Sequence, residues 1–230
     1  MREGGGGIRT KPIRRILQAI ARSYPDGAFP GKADEEEVSW ETDPFRVLIS
    51  TVLSQRTKDE NTHVASVRLF SRFDSPKALA DASVDEIRSL IRPAGFPSAK
   101  SKAIKEIARI IHEDHNDRVP PSMESLLALP LVGRKTANCV LVYGFDLDAI
   151  PVDTHVHRVS NRIGLVTTKD PEETERELVK IVPRSLWKVV NTLFVSFGKE
   201  VCRPIGPKCG TCLVNKYCDY FSTVFKKKKK

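Results

Sequence analysis

Apolar residues recur at intervals of three and four along most of the chain. In "IRRILQAIARSY" (13–24), Ile13, Ile16, Leu17, Ile20 and Tyr24 share one face at helical spacing. "YPDGAFPGKADEEE" then breaks the pattern with Pro and Gly. "DPFRVLISTVLSQRTKDENTHVASVRLFSRF" resumes it behind an Asp-Pro start signal and splits near Gln55. Three further stretches, "SPKALADA", "SVDEIRSLIRPAG" and "SAKSKAIKEIARIIHEDH", each place a serine (75, 83 and 98) in a capping position. Pro76 adds a helix-compatible first position to the first of them.

"SMESLLAL" predicts a short helix ending at Pro130, and "TANCVLVYG" another ending near Gly144. "DTHVHRVSNRIG", "DPEETERELVKIV" and "RSLWKVVNTLFVSFGKEVC" predict three more. Strand-like alternation is nearly absent, and no repeat of 20–50 residues is visible. The expectation is an all-α protein of about ten helices, mostly short.

The length of 230 residues accommodates one large domain or two small ones. No run of 18 apolar residues offers a membrane span. The opening "MREGGGGIRTKPIRR" lacks the apolar segment of a secretory signal and reads as a basic lead-in, so the protein is expected inside the cell. Lys and Arg total 38 against 29 acidic residues, a net charge of +9. Five of those charges are Lys226–Lys230, which leaves +4 on the rest of the chain. A lysine tail is a solvated end or a non-specific grip on phosphates; charge permits nucleic acid as partner without establishing it.

Near the C-terminus, Cys202, Cys209, Cys212 and Cys218 follow the spacing C-x6-C-x2-C-x5-C. Disulfides suit a chain without an export signal poorly. A metal site fits better, and spacing alone leaves zinc and iron–sulfur both open. Four thiolates within 17 residues favour a compact cluster-binding loop. Cys139, inside an apolar helix, reads as a small core residue.

"LPLVGRK" (129–135) lies between two predicted helices, with Pro130 stopping the first and Gly133 making the turn. Such a turn points the second helix's amides outward, where they and the helix's positive end make a phosphate site, reinforced by Arg134 and Lys135. Yet a cation is disfavoured at a helix N-terminus, and Arg134 disfavours it further. Destabilising the ammonium is one way a lysine becomes a nucleophile. Eighteen residues on, Asp153 precedes another helix; it is a good N-cap, and it could also accept a proton or stabilise developing positive charge.

"LPLVGRKTANCVL", then "VDTHVHRV", then the four-cysteine set, in this order and spacing, resemble the endonuclease III family of DNA repair glycosylases, over about residues 35 to 220. The resemblance implies the helix-hairpin-helix glycosylase architecture: a six-helix barrel domain (39–147) and a [4Fe-4S] cluster domain (148–230), with 1–38 as a tail and helix joining the latter. The family receives a base flipped out of duplex DNA in the cleft between its domains. Lys135 matches its nucleophilic lysine, Asp153 its catalytic carboxylate, and Cys202, Cys209, Cys212 and Cys218 its cluster ligands. The implied reaction is base excision with AP lyase cleavage through a lysine Schiff base, on oxidised pyrimidines such as thymine glycol. The partner is double-stranded DNA with a damaged base or AP site, bound by a monomer in the cytoplasm or at the nucleoid.

The resemblance also assigns DNA contacts. The hairpin carries Leu131, Gly133 and Arg134; Arg203 and Lys208 form a basic loop against the DNA backbone. Gln55 or Arg56 fills the gap left by the flipped base. Phe96 is either a wedge into the base stack or a core aromatic. The family's hairpin usually reads LPGVG, so Leu131 replaces a glycine; the expectation is a slightly altered, usable turn. His157 stands where an aromatic or apolar residue is expected, while His155 matches the family; neither receives a role. Two alternatives stand beside this reading. One is a monofunctional mismatch glycosylase for thymine or adenine, whose relatives lack the lysine. The other is a non-catalytic iron–sulfur DNA-binding or redox protein, which leaves the Lys135–Asp153 spacing unexplained.

Overall fold

The computed structural model describes residues 11–24 and 42–227. The glycine-rich lead-in, most of the Pro/Gly break at 25–41 and the last three lysines lie outside them. Among the described residues all regular structure is helical. The chain divides into two compact units, one of residues 33–151 and one of 1–32 with 152–230.

The central unit is built from α2 (Pro44–Ser54), α3 (Asp59–Arg72), α4 (Pro76–Asp81), α5 (Val84–Leu90), α6 (Pro97–His115), α7 (Met123–Leu127) and α8 (Arg134–Cys139). Asp43, Ser75 and Ser83 cap α2, α4 and α5 by accepting backbone N–H groups, as the spacing predicts, and Ser122 caps α7 in the same way. Ser98 does not cap α6. Pro97 occupies the first helical position, and Phe96 takes the cap in a left-handed conformation. Proline's fixed φ starts the helix two residues before a cap at Ser98 would.

The core of this unit joins α2 (Leu48, Ile49, Val52, Leu53) to Leu69 of α3, Leu79 of α4 and Ile87 of α5. Ile104, Ile107 and Ile111 of α6 complete it, and all of these are fully buried. Each such side chain contributes about 1.5–3 kcal/mol by leaving water. Helix α8 continues without a break into a π-turn at Val140–Gly144. There the absence of a side chain matters, because a Cβ on Gly144 would stand 2.9 Å from the Cα of Pro44.

The second unit contains α1 (Ile13–Ala21), α9 (Thr154–Ile163), α10 (Pro171–Ile181) and α11 (Trp187–Glu200). The α1 stripe of Ile13, Ile16, Leu17 and Ile20 is buried, and α1 packs on α11. Helix α11 also packs on α9, and α9 on α10. Gly164 ends α9 with φ +84°, and a Cβ there would overlap the Asp219 carboxylate. Asp219 in turn binds Lys11 Nζ at 2.5 Å, tying the start of α1 to the segment after Cys218. Among the described residues no helix is long and apolar enough to cross a membrane.

Candidate functional site

In the central unit the hairpin between α7 and α8 departs from the sequence reading. The turn residue is Leu131, with φ +59°, whereas Gly133 is extended at φ −97°. Leu131 thus adopts the left-handed backbone for which glycine is suited. A Leu Cβ in that region costs about 1–2 kcal/mol. Its side chain is 47% exposed, so little burial offsets that strain. A Cβ on Gly133 would meet nothing within 4 Å, so the protein's own packing does not demand glycine there. The bare backbone of Gly133 faces open space at the N-cap of α8.

Lys135 sits in the first turn of α8, half-buried beside Arg134. Its amine has no hydrogen-bond or ion-pair partner among the described residues. The next residues, Thr136 to Cys139, are all buried and anchor the helix in the core. Cys139 is a small core residue, as its apolar surroundings predict.

The end of α2 reaches the same hairpin. Gln55 Nε2 donates to the Leu131 carbonyl at 2.8 Å and to Thr136 Oγ1 at 3.3 Å. Arg56, the next residue, is exposed with φ +51°, and its guanidinium lies 5.7 Å from the centre of the Phe96 ring. That distance is within cation–π range. Phe96 is itself left-handed (φ +56°) and 60% exposed, so it is not a core aromatic. The two gap-filling candidates therefore differ: Gln55 is held by the hairpin, and Arg56 stands against Phe96.

In the second unit Asp153 caps α9. Its Oδ1 accepts the backbone N–H groups of His155 and Val156, each at 2.8 Å. Oδ2 has no partner among the described residues, so capping occupies half of the carboxylate. Burial pushes the His155 imidazole below its usual range, opposed by the Asp153 charge. Gly198 backs this histidine, since a Cβ there would lie 2.9 Å from His155 Nδ1. His157 Nδ1 pairs with Thr174 Oγ1 at 2.7 Å, in a network with Asn161 and Thr168 that explains a polar residue at that position.

The four C-terminal cysteines are all free thiols and all line one concavity. Among the described residues no three His, Cys, Asp or Glu side chains are grouped closely enough to hold a single metal ion. Burial raises the thiols of Cys209 and Cys218, and that of Cys212 to about 11. Buried thiolates require a cation to compensate them. Arg162 supplies part of that charge. Its Nη1 donates to Cys202 Sγ at 3.7 Å and to the Arg203 carbonyl at 2.7 Å, and its Nη2 to the Pro204 carbonyl at 3.0 Å. The loop it holds carries Arg203 and Lys208, both exposed.

Two features escaped the sequence reading. Arg162 gives no local signal, because its role depends on a loop forty residues away. Lys100 is 3% exposed, a lysine in the core. It could have been found, since it falls in register with the apolar stripe Ala103, Ile104, Ile107 and Ile111.

The profile of the HhH-GPD superfamily of base excision DNA repair proteins matches residues 49–184. Endonuclease III of Thermotoga maritima is 51% identical over 181 residues, covering 79% of this chain and 85% of that protein. Endonuclease III of Synechocystis is 39% identical, covering 76% of this chain and 80% of the other. A solved structure of a trapped endonuclease III–DNA covalent intermediate superposes with a TM-score of 0.82 at 32% identity, over 95% of this chain and 97% of that one. With its all-helical fold, its hairpin at 129–135 and these relatives, the chain belongs to the endonuclease III family of the HhH-GPD superfamily.

Proposed function

We propose that this protein is a bifunctional DNA glycosylase and AP lyase that removes oxidised pyrimidines, such as thymine glycol, from duplex DNA. The observation that carries the reading is Lys135: a half-buried amine without a partner among the described residues, one turn from the strained hairpin.

The unprotonated Lys135 amine attacks the sugar carbon bearing the damaged base. The carbon–nitrogen bond to the base breaks, the base leaves with the bonding electron pair, and the ring opens to a protonated Schiff base. Loss of a proton from the neighbouring sugar carbon then expels the 3′ phosphate by β-elimination. Asp153 serves as the carboxylate, its free Oδ2 accepting a proton or stabilising positive charge while Oδ1 remains with the helix amides. The open backbone at Gly133 and the first amides of α8 receive a DNA phosphate, with Arg134 beside them. Leu131 belongs to this phosphate-binding hairpin, Gln55, Arg56 and Phe96 meet the DNA where the base is displaced, and Arg203 and Lys208 contact the backbone from the cysteine loop.

Cys202, Cys209, Cys212 and Cys218 hold a [4Fe-4S] cluster in this reading. Four free thiols around one concavity, with an arginine on one sulfur, suit a cluster that needs four thiolates. When bound, the cluster cross-links the loop and orders it; no step of the reaction passes through it. The protein acts as a monomer, inside the cell and at the nucleoid.

Borohydride trapping tests the reading. Duplex DNA with a single thymine glycol is incubated with the protein, reduced and run on a denaturing gel. A covalent band that disappears in Lys135→Ala is expected. Base release without a band would make the enzyme a monofunctional glycosylase instead.

A further inference from the structure

Lys100 lies in the first turn of α6, where a helix's own dipole opposes a cation. It points at the other end of a different helix. Its Nζ donates to the Leu53 carbonyl at 2.7 Å, the Gln55 carbonyl at 2.6 Å and Thr57 Oγ1 at 2.9 Å. Three ammonium protons meet three acceptors, two of them carbonyls that the end of α2 leaves without helical partners. Among the described residues no carboxylate accompanies it. A lysine buried without an acid is held by these contacts alone.

The Thr57 hydroxyl is the second half of the arrangement. It donates to the Gln55 carbonyl at 3.1 Å and accepts from Lys100 and from the Gly95 amide, the latter at 3.0 Å. Its full hydrogen-bonding capacity is used. Gly95 is packed against the same loop, for a Cβ there would stand 2.5 Å from the Arg56 carbonyl. Two loops far apart in sequence are thereby fastened at residues 53–57 and 95–100. On their exposed side stand Arg56 and Phe96, both left-handed and in ring–guanidinium contact.

We propose that Lys100 is a positioning residue that locks Gln55, Arg56 and Phe96 into one preformed platform for displacing the damaged base. The inference rests on the reading of these loops as the DNA-probing surface. It makes extrusion of the base depend on Lys100 while the chemistry at Lys135 does not.

The test compares wild type with Lys100→Met, which keeps the stem and removes the donors. Thr57→Val, which removes the shared hydroxyl at constant shape, runs in parallel, with Thr57→Ser as its rescue. Excision from a thymine glycol duplex should fall about tenfold or more. Cleavage of an abasic site in single-stranded DNA, which needs no base displacement, should change less than about twofold. Hydrogen exchange should quicken in peptides spanning 53–57 and 94–97 and nowhere else in residues 42–151. Parallel loss of both activities, or retention of both, overturns the proposal, as does unchanged exchange. Should wild type act on neither substrate, the proposed function fails, and the exchange result alone decides whether Lys100 fastens the loops. If Lys100→Met does not fold, the two Thr57 variants carry the same comparison.

Discussion

The side-chain amide of Gln55 donates to the backbone carbonyl of Leu131 at 2.8 Å, across 76 residues of sequence. It joins the end of α2 to the one hairpin residue whose backbone is left-handed. A bond to that carbonyl helps hold a conformation that leucine adopts at a cost.

Leu131→Gly should therefore raise stability by about 0.5 kcal/mol, since strain relief outweighs the entropy gained by the unfolded glycine. Leu131→Ile should lower it by about 1 kcal/mol, because a β-branched side chain tolerates positive φ least. Urea unfolding of the three proteins gives the order, and a glycine variant less stable than leucine would refute the strain.

Asp153 combines a helix cap with a free oxygen, and two substitutions separate the roles. Asn caps about as well as Asp, so Asp153→Asn should change stability by less than about 0.5 kcal/mol. It should nevertheless slow base excision about 10²- to 10⁴-fold, because the proton-accepting charge is gone. Asp153→Ala should lose both, with about 1 kcal/mol of stability. Equal activity of Asp153→Asn and wild type in single-turnover assays would leave the residue as a cap alone.

The cysteine loop is expected to bring down brown protein containing iron and sulfide in equal amounts and no zinc. Cys209→Ser should lose the colour, the order of the loop at 203–208 and DNA affinity together, whereas Cys139→Ala should keep the iron. Elemental analysis with a binding titration decides this; a colourless, stable Cys209→Ser with full activity would contradict it.

Desolvation holds the Lys100 amine down to about 8, against its usual 10.5. Between those values the unfolded chain binds a proton that the folded chain does not, so this group's contribution to stability rises with pH. Below about pH 8 both states are protonated and its contribution is constant. The stability difference between wild type and Lys100→Met should move in favour of wild type from pH 8 to 10.5. A difference that stays flat over that range would place the amine's titration elsewhere.

Sequence alone determined the helices, because caps and periodicity are local. Ser75, Ser83, Asp153 and Asp170 each cap the helix that their spacing predicts. The order of "LPLVGRK", Asp153 and the four cysteines was equally legible, since spacing along the chain carries it. What tertiary structure decided was backbone sign and side-chain partner. Whether Leu131 or Gly133 takes the left-handed turn depends on how α7 and α8 are clamped, and the core decides that. Phe96 is exposed and Ser98 is not a cap because Pro97 starts α6 against a loop fixed by Lys100. A lysine's charge announces a surface residue; only the carbonyls at the end of α2, brought over it by packing, make Lys100 a buried one.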